Sequence, residues 1–541
     1  MEGYAPSEYR VTDLASTLKH RMGAVAEIYQ RIIFQQQTRG RQQARGAEFK
    51  LLSPPEPTAP DQSSQHLLER LVTDAPAWYE IANRSDLGQQ ARRSFQRFLA
   101  SAFTSSHRYA ALARYQKEAS RALSLFEASD YLTEILIRHP EEIATLAETE
   151  EGGRDPGRTY LFERAFPEQA FGERSLVDAS SVESPRVESS GRERAVLPKD
   201  PTFTYLAYSP VPYSEKLALL RQHFRHRAFV VGARDVIGLR DVYESFADIT
   251  AAAADAMAAA FSIAGAPQGL AVMALGRLGS GEFDLLSDAD VLFVCEEEGD
   301  RIALTKCAER MMHVLSDYTR DGMVFPVDAR LRPRGSEGEL LVTPTQLAAY
   351  FEHEAQPWEA LMYTKMRFFA GWKTVGDRAT AQLKILFDRF ATDAGFGVAV
   401  REMRTKLEGA ETRTSFKSSP GGTYDIDFIT SYLMVKHGVS SKRGSLRDRL
   451  WRCVSAGLDK GDAASLDHAA ELLRTAEHVS RLVVGRPGKW LPATEHGRQV
   501  TERLTGKILS REFPDGLETE LGRTLGAVRT IYDRIFDDDG E

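Results

Sequence analysis

Two aspartates, Asp288 and Asp290, stand one residue apart in ALGRLGSGEFDLLSDADVLFV, residues 274–294, directly ahead of an apolar run. Side chains at i and i+2 of a strand share a face. Carboxylates held that close repel unless a cation lies between them. Hard divalent cations such as Mg²⁺ take oxygen ligands, often carboxylates together with substrate phosphates. Upstream, Gly279, Ser280 and Gly281 are expected to wrap phosphate with backbone N–H groups, helped by a following helix N-terminus. Ser287 is expected to join them as a nucleotide-binding residue.

A third acid, Asp328 in FPVDARLRP, falls on a segment expected to form a strand beside the first. Three acids around one or two metals suit in-line attack on a nucleoside triphosphate. Asp288, Asp290 and Asp328 are therefore the candidate catalytic and metal-holding residues. Arg330 and Arg332 follow at once and are placed to reach phosphate oxygens. Mg²⁺, with Mn²⁺ as a substitute, is the expected metal, and a nucleoside triphosphate the expected substrate.

A lone D-x-D is usually a solvated turn. What sets this one apart is the glycine turn nine positions before Asp288 and the distant strand acid. PGGTYDIDF, residues 420–428, shows the contrast. Only two residues separate Gly422 from Asp425, too few for a turn, a helix and a strand. Helix-periodic FITSYLMVKHG follows, so Asp425 and Asp427 are expected in a first helical turn, complementing its dipole. His313, His353 and His437 lack any partner spacing for zinc or nucleophile chemistry.

The elements that must position these residues can be read from periodicity. LAVMALG (270–276), ADVLFVC (289–295) and MVFPVDARLR (323–332) read as strands, and 301–320 as a helix. Residues 249–276 read as a buried alanine-rich helix, a turn at Gly265–Gly269 and a strand, with no membrane span required. Helical patterning covers 12–47 and 64–148, broken by LLSPPEPTAP, with two short helices expected around His139–Pro140. Residues 149–203, rich in Ser, Glu, Arg, Gly and Pro, read as a linker or mobile insertion. The expected domains are a helical region 1–148, that linker, a catalytic domain 204–375 and a helical domain 376–541.

With 541 residues the chain can hold several cores. Its 69 Lys+Arg against 77 Asp+Glu, net charge −8, argue against a dedicated nucleic-acid binder. Three scattered cysteines build neither a disulfide framework nor a zinc site, which suits a reducing cytoplasm. MEGYAPSEYR lacks the basic and apolar regions of a signal peptide.

GRLGSGEFDLLSDADVLF resembles the signature of the glutamine synthetase adenylyltransferase family at Gly276, Leu278, Gly279, Glu282, Ser287, Asp288, Asp290 and Phe293. VDARLRPRGSEG, 327–338, is similar to a second motif of that family. Trp358, Glu359, Lys365 and Arg367 match a third. PGGTYDIDF matches a fourth, with Asp427 where glutamate is usual. The resemblance covers about 210–440 and extends weakly to LRTAEHVSRL near 472 and to SDYLTEILIRHPEEI. Ser280 replaces the usual second glycine. Typical members carry two nucleotidyltransferase domains and this chain one, with SPGGTYDIDFITSYL and EAQPWE closer to the half that attaches AMP.

The resemblance implies an α+β fold: a DNA polymerase β-like nucleotidyltransferase domain with a small mixed sheet, flanked by mainly helical domains. It implies transfer of AMP from ATP to a tyrosine of glutamine synthetase, with the synthetase as partner and a PII-like signalling protein as a second one. Neither nucleic acid nor membrane is implied. The alternatives are phosphorolytic removal of AMP, nucleotidylation of another protein, or a non-catalytic regulator that binds the synthetase.

Overall fold

The apolar runs that bracket the glycine-rich stretch become the central strands of a small mixed sheet. The computed structural model describes residues 70–147, 195–408, 414–439 and 444–538. The chain separates into two units, 1–160 and 161–541. The expected helix over 12–47 and its proline-rich break lie outside the described residues.

In the first unit, helices α1 (Pro76–Ala82), α2 (Gln89–Ala102), α3 (Ser106–Arg114), α4 (Ala119–Ala128) and α5 (Asp130–Arg138) enclose an aromatic core. Trp78, Phe95, Phe98 and Phe126 form it, at ring separations of 5.2 to 6.5 Å. The Trp78 indole donates to the Leu112 carbonyl at 3.0 Å, so its one polar atom is satisfied. His139–Pro140 divides the segment as its pattern suggests. Helix α5 stops at Arg138, and a 3-10 segment, Pro140–Leu146, begins on the proline.

The second unit holds the sheet, in the order β1 (Ala195–Val196), β6 (Arg367–Trp372), β2 (Leu270–Ala274), β3 (Ala289–Cys295), β4 (Val327–Asp328), with β5 (Leu341–Val342) also on β3. Strand β2 runs antiparallel to β3 and β6, while β4 and β5 run parallel to β3. Every residue of β2 is buried, which is why it reads as an unbroken apolar run rather than an alternating one.

The expected alanine-rich helix is α8 (Val242–Ile263), which packs on β6 after α6 (Pro201–Tyr208) and α7 (Tyr213–Gly238). It is long and apolar enough to cross a membrane by length and composition, yet 61% of that window is buried inside the unit. Helix α13 (Lys373–Ala391) packs on β2, β3 and β6. Alternate strand residues Ala271, Met273, Leu292 and Val294 share one core with α13, α15 (Thr423–Lys436), α17 (Lys460–Val484) and α19 (Leu517–Asp538).

Three expectations change. The division at 375/376 is not a boundary, because the sheet and the C-terminal helices share that core and one unit. The end of the stretch read as linker is structured: β1 adds an edge strand to β6, and α6 follows, started by the Asp200 side chain accepting from Thr202 N–H. The strand expected over 323–332 shrinks to Val327–Asp328. Pro326 has no N–H to pair, and Asp328 turns its side chain back to accept from the Arg330 backbone N–H at 2.8 Å, which closes a turn. The fold is α+β, dominated by helices.

Candidate active site

Strand β4 places Asp328 directly across from Asp290, since the parallel register pairs Ala289 with Val327 and Asp290 with Asp328. Asp288 lies just ahead of β3, is exposed, and acts electrostatically on Asp290. Burial pushes the Asp290 carboxyl up, and the charges of Asp328 and then Asp288 push it further, to about 6. The three acids are thus gathered at one sheet edge. Asp328 differs: the Arg330 guanidinium beside it holds its carboxyl below the usual range, with Nε at 2.9 Å from both oxygens.

Among the described residues, no three His, Cys, Asp or Glu side chains stand close enough to enclose a metal ion. The cage expected from Asp288, Asp290 and Asp328 is therefore not preassembled, and Asp328 is paired with Arg330. The donor set still fits a hard divalent cation. It offers oxygen ligands only, and a carboxylate whose ionisation its acidic neighbours oppose is one that a cation would stabilise.

The glycine-rich stretch behaves differently from expectation. Residues Gly276–Ser280 are themselves a short helix, α9, rather than a loop leading into one. The N–H of Gly279 donates to the Leu275 carbonyl and that of Gly281 to the Leu278 carbonyl, so neither is free to cradle phosphate. The Ser280 hydroxyl donates to the Arg277 carbonyl. Gly276 has φ +54°, and a Cβ there would lie 2.1 Å from Asp290 Oδ2. Gly279 lets α9 press on the turn ahead of β6, as its Cβ would sit 2.2 Å from the Lys365 carbonyl oxygen. Both contacts involve groups that cannot easily yield. Gly279→Ala is expected to cost about 1–3 kcal/mol and to lower the melting temperature followed by circular dichroism. An unchanged melt would show that the turn gives way.

Arg332 is also reassigned. Its guanidinium donates to the Ala329, Ser336 and Gly338 carbonyls at 2.7, 3.1 and 3.0 Å, which staples the loop after β4. The Ser287 hydroxyl accepts from Arg481 at 2.8 Å. Arg330 is exposed and ion-paired only with Asp328 among the described residues, a contact weak enough to exchange.

Beneath the acids lies a buried charge network that sequence reasoning missed. Arg277 donates to the Glu282 carbonyl at 2.9 Å and pairs with Glu477 at 3.3 Å and Asp284 at 3.5 Å. His478 bridges Asp284 at 2.6 Å and Asp235 at 3.0 Å. Burial works against its charge, yet Asp284 and Asp235 raise it to about 10. Arg474 reaches Glu282 at 3.2 Å, and Glu282 also accepts from the Leu446 N–H that begins α16 (Leu446–Cys453). LRTAEHVSRL carried the signal: Arg474, Glu477, His478 and Arg481 lie on α17 at helical spacing.

The acids of PGGTYDIDF belong to this framework. Asp425 sits in the first turn of α15, as expected, whereas Asp427 lies one position beyond it. Neither is a solvent-facing dipole partner. Asp425 is fully buried against Arg404 and the Gly421 N–H. Asp427 pairs with Lys365 at 2.9 Å and Arg449 at 3.5 Å. Burial opposes its ionisation, but Lys365, Arg474 and Arg449 pull it to about 2. In the same loop Lys417 faces the acids, its charge favouring ionised Asp290, with its ammonium 5.1 Å from the Tyr424 ring. No salt bridge engages it among the described residues. Of the single histidines, His313, His353 and His437 are exposed.

Residues 204–382 match the family model described as glutamate-ammonia ligase adenylyltransferase. The chain is 32% identical over 338 residues to a Streptomyces avermitilis protein named bifunctional glutamine synthetase adenylyltransferase/adenylyl-removing enzyme, covering 59% of this chain and 34% of that one. A Streptomyces coelicolor protein of the same name is 32% identical over 59% of this chain and 34% of its own length. One from Hahella chejuensis is 30% identical over 44% and 27%. The chain thus matches about a third of the length of these curated relatives.

Proposed function

We propose that this chain, whose residues 204–382 match the glutamate-ammonia ligase adenylyltransferase family model, transfers AMP from ATP to a tyrosine of a glutamine synthetase. The observation that carries the reading is the register pair Asp290 and Asp328 with Asp288 beside them, on a sheet edge built from the segment the family shares. Antiparallel β2 and β3, acids at the head of β3 and a third acid on parallel β4 support the DNA polymerase β-like arrangement.

The phenolic oxygen attacks the α-phosphorus in line, forming the O–P bond while the bond to the β-phosphate oxygen breaks and pyrophosphate leaves. Asp288 and Asp290 would hold Mg²⁺, or Mn²⁺ in its place, which would neutralise charge on the triphosphate and the departing pyrophosphate. Asp328, released as Arg330 transfers to phosphate oxygens, accepts the phenolic proton. Lys417 meets the triphosphate from the facing loop.

Intact-mass measurement of a bacterial glutamine synthetase, incubated with the chain, ATP and Mg²⁺, tests this. A gain of one AMP per modified subunit is expected, and none rejects the reading. Starting instead from AMP-bearing synthetase and inorganic phosphate tells whether the site runs in the removing direction that the relatives' names also carry.

Lys417→Met is expected to raise KM for ATP about tenfold or more, the worth of one charge-assisted hydrogen bond, with a smaller change in kcat. Initial rates against ATP concentration check it, and an unaltered KM removes Lys417 from the phosphate path.

A further inference from the structure

Arg481, near the C-terminal end of α17, donates Nη1 to the Leu285 carbonyl at 3.0 Å and to the Ser287 hydroxyl at 2.8 Å. Those acceptors flank Leu286, whose φ of +60° is rare for a residue with a branched side chain. The next residue after Ser287 is Asp288. The guanidinium is itself fixed, since Nη2 donates to Glu477 Oε1 at 2.7 Å and Nε lies 3.6 Å from Asp284. Glu477 is locked in turn by Arg277 from α9. One planar group, held from behind, thus grips both sides of an unusual turn immediately before an acid of the site.

We propose that Arg481 is a positioning residue that aims Asp288 at Asp290 and so sets the divalent-metal affinity of the site. The inference rests on the nucleotidyl-transfer reading of Asp288 and Asp290. It goes beyond that reading by making α17, some two hundred residues away in sequence, part of the machinery. Mere packing by Arg481 would lower stability while leaving the metal affinity of the folded protein intact.

Mn²⁺ titration followed by electron paramagnetic resonance on the full chain distinguishes the two. Arg481→Gln, with a wild-type circular dichroism spectrum, is expected to bind Mn²⁺ about 10- to 100-fold more weakly, as for residues that orient ligands. Ser287→Ala is expected to show part of the loss, and the double variant no more than Arg481→Gln alone, because both remove one bond. Arg481→Lys is expected to recover some affinity.

A folded Arg481→Gln with wild-type affinity overturns the proposal. If that variant does not fold, Ser287→Ala decides, and its unchanged affinity overturns the proposal equally. Should wild type itself bind no Mn²⁺, the metal-site reading fails and the clamp is judged by amide hydrogen exchange over 284–290. Faster exchange there in Ser287→Ala sustains the clamp, and unchanged exchange overturns it.

Discussion

Asp290→Asn is expected to abolish AMP transfer while raising the melting temperature of the metal-free protein. The carboxyl is pushed from 3.8 up to about 6 by burial, Asp328 and Asp288, so folding favours its protonated form. A folded pKa above the unfolded value means that the ionised group opposes folding above about pH 6. That cost shrinks as pH falls through 6 toward 4. At neutral pH it amounts to up to about 3 kcal/mol, at 1.36 kcal/mol per unit. Asparagine keeps the shape and removes the charge.

Melting curves without divalent ions, from pH 5 to 8, are therefore expected to show the variant ahead at pH 7.5 and the gap closing toward pH 5. Adding Mg²⁺ is expected to raise the wild-type melt and leave the variant's nearly where it was, because only a bound ligand stabilises by mass action. Transfer measured by intact mass is expected to fall by about 10³-fold or more. A variant that melts below wild type at pH 7.5 would mean that Asp290 contributes a stabilising contact instead.

Glu477→Ala is expected to be the most destabilising single change on α17. The side chain is 1% exposed and stands 2.7 Å from Arg481, 3.3 Å from Arg277 and 3.6 Å from Arg474. Burial opposes its ionisation, but Arg277, Arg481 and Arg474 pull it to about 2. Removing it leaves three guanidiniums facing one another without a common counter-charge, at a cost of about 3–5 kcal/mol. Urea unfolding followed by tryptophan fluorescence measures this, and a loss under about 1 kcal/mol would show that the arginines re-pair. Glu477→Gln is expected to lie between, as it keeps the volume and loses the charge.

Strand β3 was legible to the residue, Ala289–Cys295, because an apolar run bounded by turn residues has few other readings. The adjacency of the Asp328 strand to β3 was legible from its apolar pattern, and the register sets Asp328 opposite Asp290. Two-residue strands such as β1 were not, since two positions carry no periodicity and β1 exists only because β6 offers an edge. The glycines misled for a related reason. Gly279, expected to wrap phosphate, answers to a group brought close by folding, the Lys365 carbonyl, as Gly276 does to an Asp290 oxygen. Least legible was the face of Arg474, Glu477, His478 and Arg481. Helical spacing puts these charges on one face, but such a face ordinarily reads as solvated, and the spacing does not say that its partners lie at Asp235 and near residues 277–287.

That distance in sequence has a consequence for modularity. The pairs Arg277 with Glu477 and Asp284 with His478 join segments 200 and 194 residues apart, and all four side chains are at most 12% exposed. A segment carrying the acids, transplanted from one homologue into another, would bring buried charges whose counter-charges stayed behind. The acid-bearing stretch is therefore not a portable cassette. Chimeras that exchange 270–295 together with 470–485 are the ones placed to keep a folded site, and drift in either stretch constrains the other.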